Sequence, residues 1–340
     1  MRKNGQTITK VVLILGCLVL AAFFVFKTVY FNYMMKQEGF DNKEEKYYSF
    51  QFEMIVDNPE SAFWQAVYKS ARDVAEKSDV LLELTGSSWD NTYDKIDYMS
   101  MGIAARVDGI ILEYNGEEGL EEKINEAVDQ GIPVVTVMGD ATVSKRQSFV
   151  GVNDYQMGVA YGEEVAKYVN ETTNSIIILK KMNPGNMKQS PLFAQISNGV
   201  KAHYQGNKEL KIESKTLLSS GAFDTEEIIR NIFHQAGGPP DILVCMDEET
   251  TECAYHAMID YNMAGKVKII GYYTSETVME ALEKGLIPST CAIDTENLGK
   301  YSVEALVEYI NEGRVNVYYN VDLRFVAADV LKEEGEAGNQ

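Results

Sequence analysis

The chain has only two tryptophans, Trp64 and Trp89. Both fall just beyond apolar runs that read as strands, Phe50 to Val56 and Val80 to Leu84. A flat aromatic face at a strand end suits stacking on the C–H face of a sugar ring or on an aromatic ligand. Phe63 precedes Trp64 on a predicted helix, and helical neighbours point about 100° apart, so one of the pair is expected in the core. Nothing else in the chain spells out a reaction. His203, His234 and His256 each sit on a predicted helix without metal spacing or a partner nucleophile. The glycine-rich stretches form neither a dinucleotide fingerprint nor a P-loop. Gly151, Gly158 and Gly162 suit a hinge and close helix packing instead. No two carboxylates are spaced to demand acid–base work. Cys17, Cys245, Cys253 and Cys291 form no CxxC and no metal set with histidine. Cys245 and Cys291 read as small buried hydrophobes in strands, and a disulfide among the last three stays open. The expected chemistry is reversible binding, with no catalytic residue, metal or cofactor.

The elements that must position these residues alternate. Ile96, Met99, Ile103 and Ala104 recur at helical spacing ahead of Ile110 to Leu112, a short apolar run behind an Asp-Gly. Leu120, Ile124, Ala127 and Val128 then form an amphipathic helix that stops at Gly131. Ile132-Pro-Val-Val-Thr-Val-Met138 is the next buried strand. Helix, strand, helix, strand with short connections is the grammar of a parallel sheet, whose ligands lie outside the carboxyl ends of the strands. Asp57-Asn-Pro-Glu-Ser61 turns into a helix over Ala62 to Lys77. After a link at Phe149 to Asp154 the pattern restarts. Helices are predicted over Tyr155–Val169, Leu192–Tyr204, Thr225–Gln235, Thr250–Tyr261, Glu276–Lys284 and Leu298–Asn311. Strands are predicted over Ser175–Leu179, Ile212–Leu217, Ile242–Cys245, Val267–Ile270, Ser289–Ile293 and Val321–Val326. Two successive βα arrays of similar size imply two α/β lobes, each a parallel sheet flanked by helices.

Length and charge agree with this. A chain of 340 residues suits two domains with proper cores. With 51 acidic against 31 basic residues the net charge is −20, which argues against nucleic acid and against docking the globular part on anionic lipid. Arg2, Lys3 and Lys10 precede an uncharged apolar run, Val11 to Phe26. As a helix it reaches about 24 Å against a hydrocarbon core of about 30 Å. Lys27 can snorkel, and Tyr30, Phe31 and Tyr33 suit the interface, so a span remains feasible. Ala21-Ala22 is a poor signal-peptidase site. Ile14-Leu-Gly-Cys17 resembles a lipobox, but apolar residues continue beyond the cysteine. An uncleaved anchor accounts best for the stretch, a signal segment and a lipoprotein being the alternatives. The remainder is then extracytoplasmic and tethered. Residues 1–35 are read as anchor, 36–47 as linker and 333–340 as a frayed tail.

The wording of the chain resembles a family. A helix, Val107-Asp-Gly-Ile-Ile111, a second helix and Gly131-Ile-Pro-Val-Val135 recur in sugar-type periplasmic binding proteins and in the ligand domains of lac-repressor-like regulators. Weaker echoes are Asp57-Asn-Pro before Phe63-Trp64, Gly151-Val-Asn-Asp154, Gly221-Ala-Phe-Asp224 and Ile293-Asp-Thr-Glu-Asn-Leu-Gly299. The resemblance runs from about Phe50 to Leu331. It implies a type I periplasmic-binding-protein fold, with three crossings near Asn153, Asp294 and Val321 and a hinge that closes two lobes on a small molecule. The lobes would be 48–152 plus 294–320, and 153–293 plus 321–332. Repressor relatives begin with a helix-turn-helix, and the apolar stretch stands in its place here, which excludes that branch. An ABC permease would be the partner of an uptake protein. A sensor kinase would be the partner of an anchored sensing module.

The chain departs from the family where hydroxyls are gripped. After Val134 to Val137 the family's Asp or Asp-Arg is replaced by Met138-Gly139, with Asp140 following. The later Asn-Asp appears as Met246-Asp247-Glu248, and Gly271-Tyr272-Tyr273 stands where the family has Gly-Phe-Asp. Ile293 stands at a polar hinge position. The aromatic positions persist as Phe63, Trp64 and Phe223, with Trp64 and Phe223 expected from opposite lobes. Either Ser61, Asp140, Asn153, Asp247, Tyr273 and Asp294 form a different polar set, or the ligand is less hydroxylated. Asp247 and Asp294 also read as N-caps of the helices that follow them.

Overall fold

The computed structural model describes residue 23 and residues 25–27, 47–86, 93–182, 191–204, 209–218 and 222–328. Trp89, Cys17, the side chain of Phe223, most of the expected anchor and linker, and the tail lie outside them. Residues 23 and 25–27 are helical and exposed. Among the described residues no helix is long and apolar enough to cross a membrane.

From Ser49 onward the chain is one unit with two six-stranded sheets. The strands are β1 (Phe50–Val56), β2 (Val80–Gly86), β3 (Gly109–Glu113), β4 (Val134–Val137), β5 (Ser148–Gly151), β6 (Ser175–Met182), β7 (Lys211–Leu218), β8 (Ile242–Cys245), β9 (Lys268–Tyr272), β10 (Ser289–Ile293), β11 (Tyr318–Asn320) and β12 (Leu323–Ala327). The helices are α1 (Ala62–Lys77), α2 (Lys95–Ala105), α3 (Leu120–Asp129), α4 (Asp154–Lys167), α5 (Pro191–His203), α6 (Ala222–Phe233), α7 (Glu248–Asp260), α8 (Glu276–Glu283) and α9 (Thr295–Glu312). The first sheet runs β2-β1-β3-β4-β5-β11 and the second β7-β6-β8-β9-β10-β12. Each begins with the doubly wound order expected of alternating strands and helices.

Side-chain alternation divides the core. Ile110 and Leu112 of β3 face Met99 and Ile103 of α2 and Ile124 of α3. Ile111 faces the opposite way, into a cluster that also takes Met54 and Val67 and, from the second sheet, Ile176 and Ile178. Ile177 and Leu179 of β6 turn to the other face, with Ile229, Met258 and Val278 of α6, α7 and α8. Two-sided burial is why these strands read as continuous apolar runs. Cys245, Cys253 and Cys291 are free thiols in this core.

The structure corrects the sequence reading in three places. Phe149 to Gly151, read as a link, belongs to β5, paired on both sides by β4 and β11. The latter strand was missed altogether. Both are three or four residues long, and only partners distant in sequence make them strands. The second sheet is also not purely parallel, because β12 pairs antiparallel with β10. β11 and β12 lie in different sheets and are not paired as a hairpin, so the two residues between them, Val321 and Asp322, pass the chain from one sheet to the other. A chain running on from the first sheet therefore enters the second against its strands, as it must when the two sheets turn their carboxyl ends toward each other. Finally, Phe63 and Trp64 are both buried, at 4% and 5% exposure, where one was expected in the core. The second lobe covers Phe63, which α1 alone would leave exposed.

Candidate functional site between the two sheets

Ser61 ends the turn after β1 in extended backbone and caps α1, its hydroxyl accepting from the Trp64 N–H at 3.2 Å. The next free donor of that turn, the Phe63 N–H, is taken from across the crevice by the Glu248 carboxylate of α7, at 3.1 Å. The Phe63 ring lies 5.9 Å from that of Tyr272 and 5.2 Å from that of Tyr273. The Tyr273 hydroxyl donates to the Ala62 carbonyl at 3.3 Å. Trp64 meets Phe63 edge-on at 5.0 Å and continues into the core. Ser61, Phe63, Trp64 and Tyr273 are thus brought together, from both sheets.

Tyr273 is held in left-handed backbone at φ +66, and Met138 in the first lobe at φ +64. They follow β9 and β4, the equivalent fourth strands of the two sheets. Each N–H donates to the strand alongside, Met138 to Val150 at 3.2 Å and Tyr273 to Cys291 at 2.7 Å. Such conformations cost a non-glycine residue of order 1–3 kcal/mol and cluster at functional sites. At Gly139 a Cβ would strike the Tyr114 carbonyl, so the chain turns there on a glycine.

The other expected polar residues serve their own elements. Asn153 caps α4 by accepting from Tyr155 at 2.8 Å. Asp247 caps α7, accepting from the Thr250 N–H at 2.8 Å and its hydroxyl at 2.6 Å. Asp294 caps α9 through Asn297 at 3.0 Å. Asp140 is paired with Arg146. Phe223 is the second residue of α6.

Sequence reasoning missed a buried ionic group at the carboxyl ends of β1 and β3. Lys95, 1% exposed, places its Nζ 3.0 Å from Asp57 and 3.3 Å from Glu117. The Asn115 amide donates to Asp57 at 2.9 Å, and the Asp57 N–H donates to Glu113 at 2.6 Å. Burial would discharge Lys95, but the charges of Asp57, Glu113 and Glu117 outweigh it and hold the ammonium above its ordinary pKa. Burial, together with the Asp57 charge, pushes the Glu113 carboxyl up to about 7, against the pull of Lys95. Burial, with the charges of Cys291, Glu113, Asp247 and Glu248, raises Tyr272 well above its ordinary pKa, and its ring meets Phe63 of the first lobe at 5.9 Å. A lysine opening a helix ordinarily reads as solvated, and Glu248 stood beside the more conspicuous Asp247. The only sequence signal of Glu248 was its position just beyond a strand, and Lys95, nine residues past the end of β2, had none.

The raised Glu113 carboxyl gives a pH prediction. A carboxyl whose pKa is higher folded than unfolded stabilises fully below about 4.5, and loses that contribution as pH rises through about 7. Glu113→Gln keeps an acceptor for the Asp57 N–H and cannot ionise. The variant is expected to flatten the fall in unfolding free energy between pH 4.5 and 7. At pH 8 it should exceed the parent by about 1–3 kcal/mol, measured by urea denaturation. A parent profile that rises over this window would contradict it.

Comparison with known proteins places this geometry. The profile described as "Periplasmic binding protein domain" matches residues 52–314, and the chain belongs to that family. The family implies an extracytoplasmic domain, and its solute-binding members are not enzymes. No match was found among curated proteins. Among solved structures, the glucose-galactose binding protein GanP from Geobacillus stearothermophilus is 22% identical with a TM-score of 0.69, covering 82% of this chain and 98% of its own. A solute-binding protein of an ABC transporter from Burkholderia graminis, in complex with D-arabinose, is 18% identical with a TM-score of 0.72, covering 84% and 98%. A structure described as the XylFII-LytSN complex is 23% identical with a TM-score of 0.67, covering 82% and 98%. At these identities the likeness is one of fold: two α/β lobes of the type I periplasmic-binding-protein kind.

Proposed function

We propose that the domain reversibly captures a small polar metabolite, a sugar or a related compound, in the crevice between the carboxyl ends of its two sheets, for uptake by an ABC transporter. The observation that carries this reading is the meeting of Phe63 from one sheet with Tyr272 and Tyr273 from the other, beside the polar groups of Glu248 and Glu113. Aromatic faces give a sugar ring its apolar contact, and strand-end carboxylates accept from its hydroxyls. The sugar ligands in the names of GanP and of the D-arabinose complex support that ligand class. Trp64, Trp89 and Phe223 complete the stacking set in this reading, with Ser61, Asp140, Asn153, Asp247, Tyr273 and Asp294 as further polar contacts. The lobes are assigned as 48–152 plus 294–320 and 153–293 plus 321–332. The apolar stretch before residue 36 is assigned as the anchor that keeps them at the membrane.

A second reading, a sensing module that presents its lobes to a sensor kinase, draws support from the XylFII-LytSN neighbour and from the anchor. Gene neighbourhood separates the two: permease and ATPase genes accompany transport, kinase and regulator genes accompany sensing.

Titration calorimetry and thermal shift across sugars, polyols and nucleosides test the capture itself. Saturable one-site binding is expected. Phe63→Ala should lower the affinity by one to two decades, equivalent to about 1–3 kcal/mol of lost stacking. Absence of heat and of thermal shift across the whole panel would contradict capture of these ligands.

A further inference from the structure

The first turn of α1 is closed by a residue 185 positions away. An α-helix leaves its first N–H groups unpaired, and its own cap reaches only one or two of them. Here Ser61 takes the Trp64 N–H and leaves those of Ala62 and Phe63. Glu248 takes that of Phe63 from the opposite lobe, at 3.1 Å. Around this bond the contact is apolar on one side and open to water on the other, where Ala62 is exposed and Ser61 and Glu248 are half-buried. Phe63 is 4% and Tyr272 6% exposed, their rings are in contact, and the Tyr273 hydroxyl closes on the Ala62 carbonyl. Every one of these partners lies on the α1 entry turn or on the carboxyl ends of the second sheet, the two surfaces a ligand would have to separate.

We propose that Glu248 is an affinity-setting residue. Its carboxylate is an intramolecular occupant of the crevice, a latch that holds the lobes together without ligand and that a ligand must displace. The inference rests on the crevice being the binding site, but the latch itself is measurable with no ligand at all. A helix N-terminus and a carboxylate attract each other through aligned N–H dipoles, more strongly where water is excluded. A binding-competent open state that is only fractionally populated weakens the apparent affinity by that fraction. The latch therefore accounts for a crevice lined for binding yet filled by the chain's own side chains. It also assigns Glu248 a role that neither its neighbour Asp247 nor the cap at Ser61 performs.

The test is double electron–electron resonance on the full chain in detergent micelles. Spin labels are placed at E118C and E276C, exposed positions at the two rims of the crevice. Cys17→Ser is included throughout, and the three buried thiols stay unlabelled. The parent is expected to give one short, narrow distance distribution without ligand. Glu248→Ala should lower the closed-to-open ratio about tenfold, equivalent to about 1.4 kcal/mol, and lengthen the mean distance. Glu248→Gln, which keeps an acceptor oxygen without the charge, should fall between them. Unchanged distributions in both variants, with unchanged thermal unfolding, would overturn the latch. A wide-open parent would overturn it as well. If the variants open while no sugar binds to any form, the latch stands and the ligand reading fails.

Discussion

Lys95→Met is expected to destabilise the domain by about 3–5 kcal/mol at pH 8, the usual cost of removing one partner from a buried ionic group. Methionine keeps nearly all of the side-chain length, so packing changes little. What is lost is the cation 3.0 Å from Asp57 and 3.3 Å from Glu117, which is also the counter-charge of Glu113. The carboxylates left behind repel one another, at a place where burial already disfavours the charge of Glu113. Glu113 escapes by taking up a proton, so the deficit should shrink at pH 5, where it protonates readily. Urea denaturation at the two pH values measures both quantities. A loss below about 1 kcal/mol at pH 8 would mean that the group contributes no more than a surface ion pair.

Gly299→Ala is the second large effect, expected at about 2–3 kcal/mol despite the better helix propensity of alanine. At Gly299 the helix α9 crosses α1 so closely that an added Cβ would collide with the Val67 carbonyl oxygen. It would also lie 2.8 Å from the Ala71 nitrogen and 3.1 Å from the Ser70 Cβ. The obstacle is mostly backbone, which cannot rotate aside, so the two helices must separate. Val67 and Ala71 are fully buried and would lose contacts as they did so. The same crossing fixes where α1 points its first turn, so the variant is expected to disturb the Phe63 contacts as well as stability. Denaturation midpoints decide the matter: a neutral or stabilised variant would show that propensity outweighs the crossing.

Much of the architecture was legible because it is written in local pattern. Phe50 to Val56, Ala62 to Lys77, Ile242 to Cys245 and Ser289 to Ile293 were delimited as the structure has them, from apolar runs bounded by turn and cap residues. What escaped depended on distant partners. β5 is completed by β4 and β11 on its two sides, β11 is a strand only because β5 supplies its ladder, and the reversed β12 follows from the spatial relation of the two sheets. The site divides in the same way. The strand-end aromatic residues and the capping aspartates were visible as residue types in a local context. Lys95 and Glu248 were not, because nothing within a few residues of either tells a solvated charge from one buried against a partner 38 or 185 positions away. Their roles come from the meeting of β1 with β3 and of one sheet with the other.

The central claim is that one ligand is held by both lobes at their facing strand ends. Hydrogen–deuterium exchange of the full chain, with and without a saturating sugar taken from the calorimetric panel, tests it most directly. The prediction is slowed exchange at Asp57 to Trp64 and Met138 to Asp140 in the first lobe, and at Met246 to Glu248 and Tyr272 to Tyr273 in the second. Slowed exchange confined to one lobe, or to the surface between α7 and α8, would contradict it.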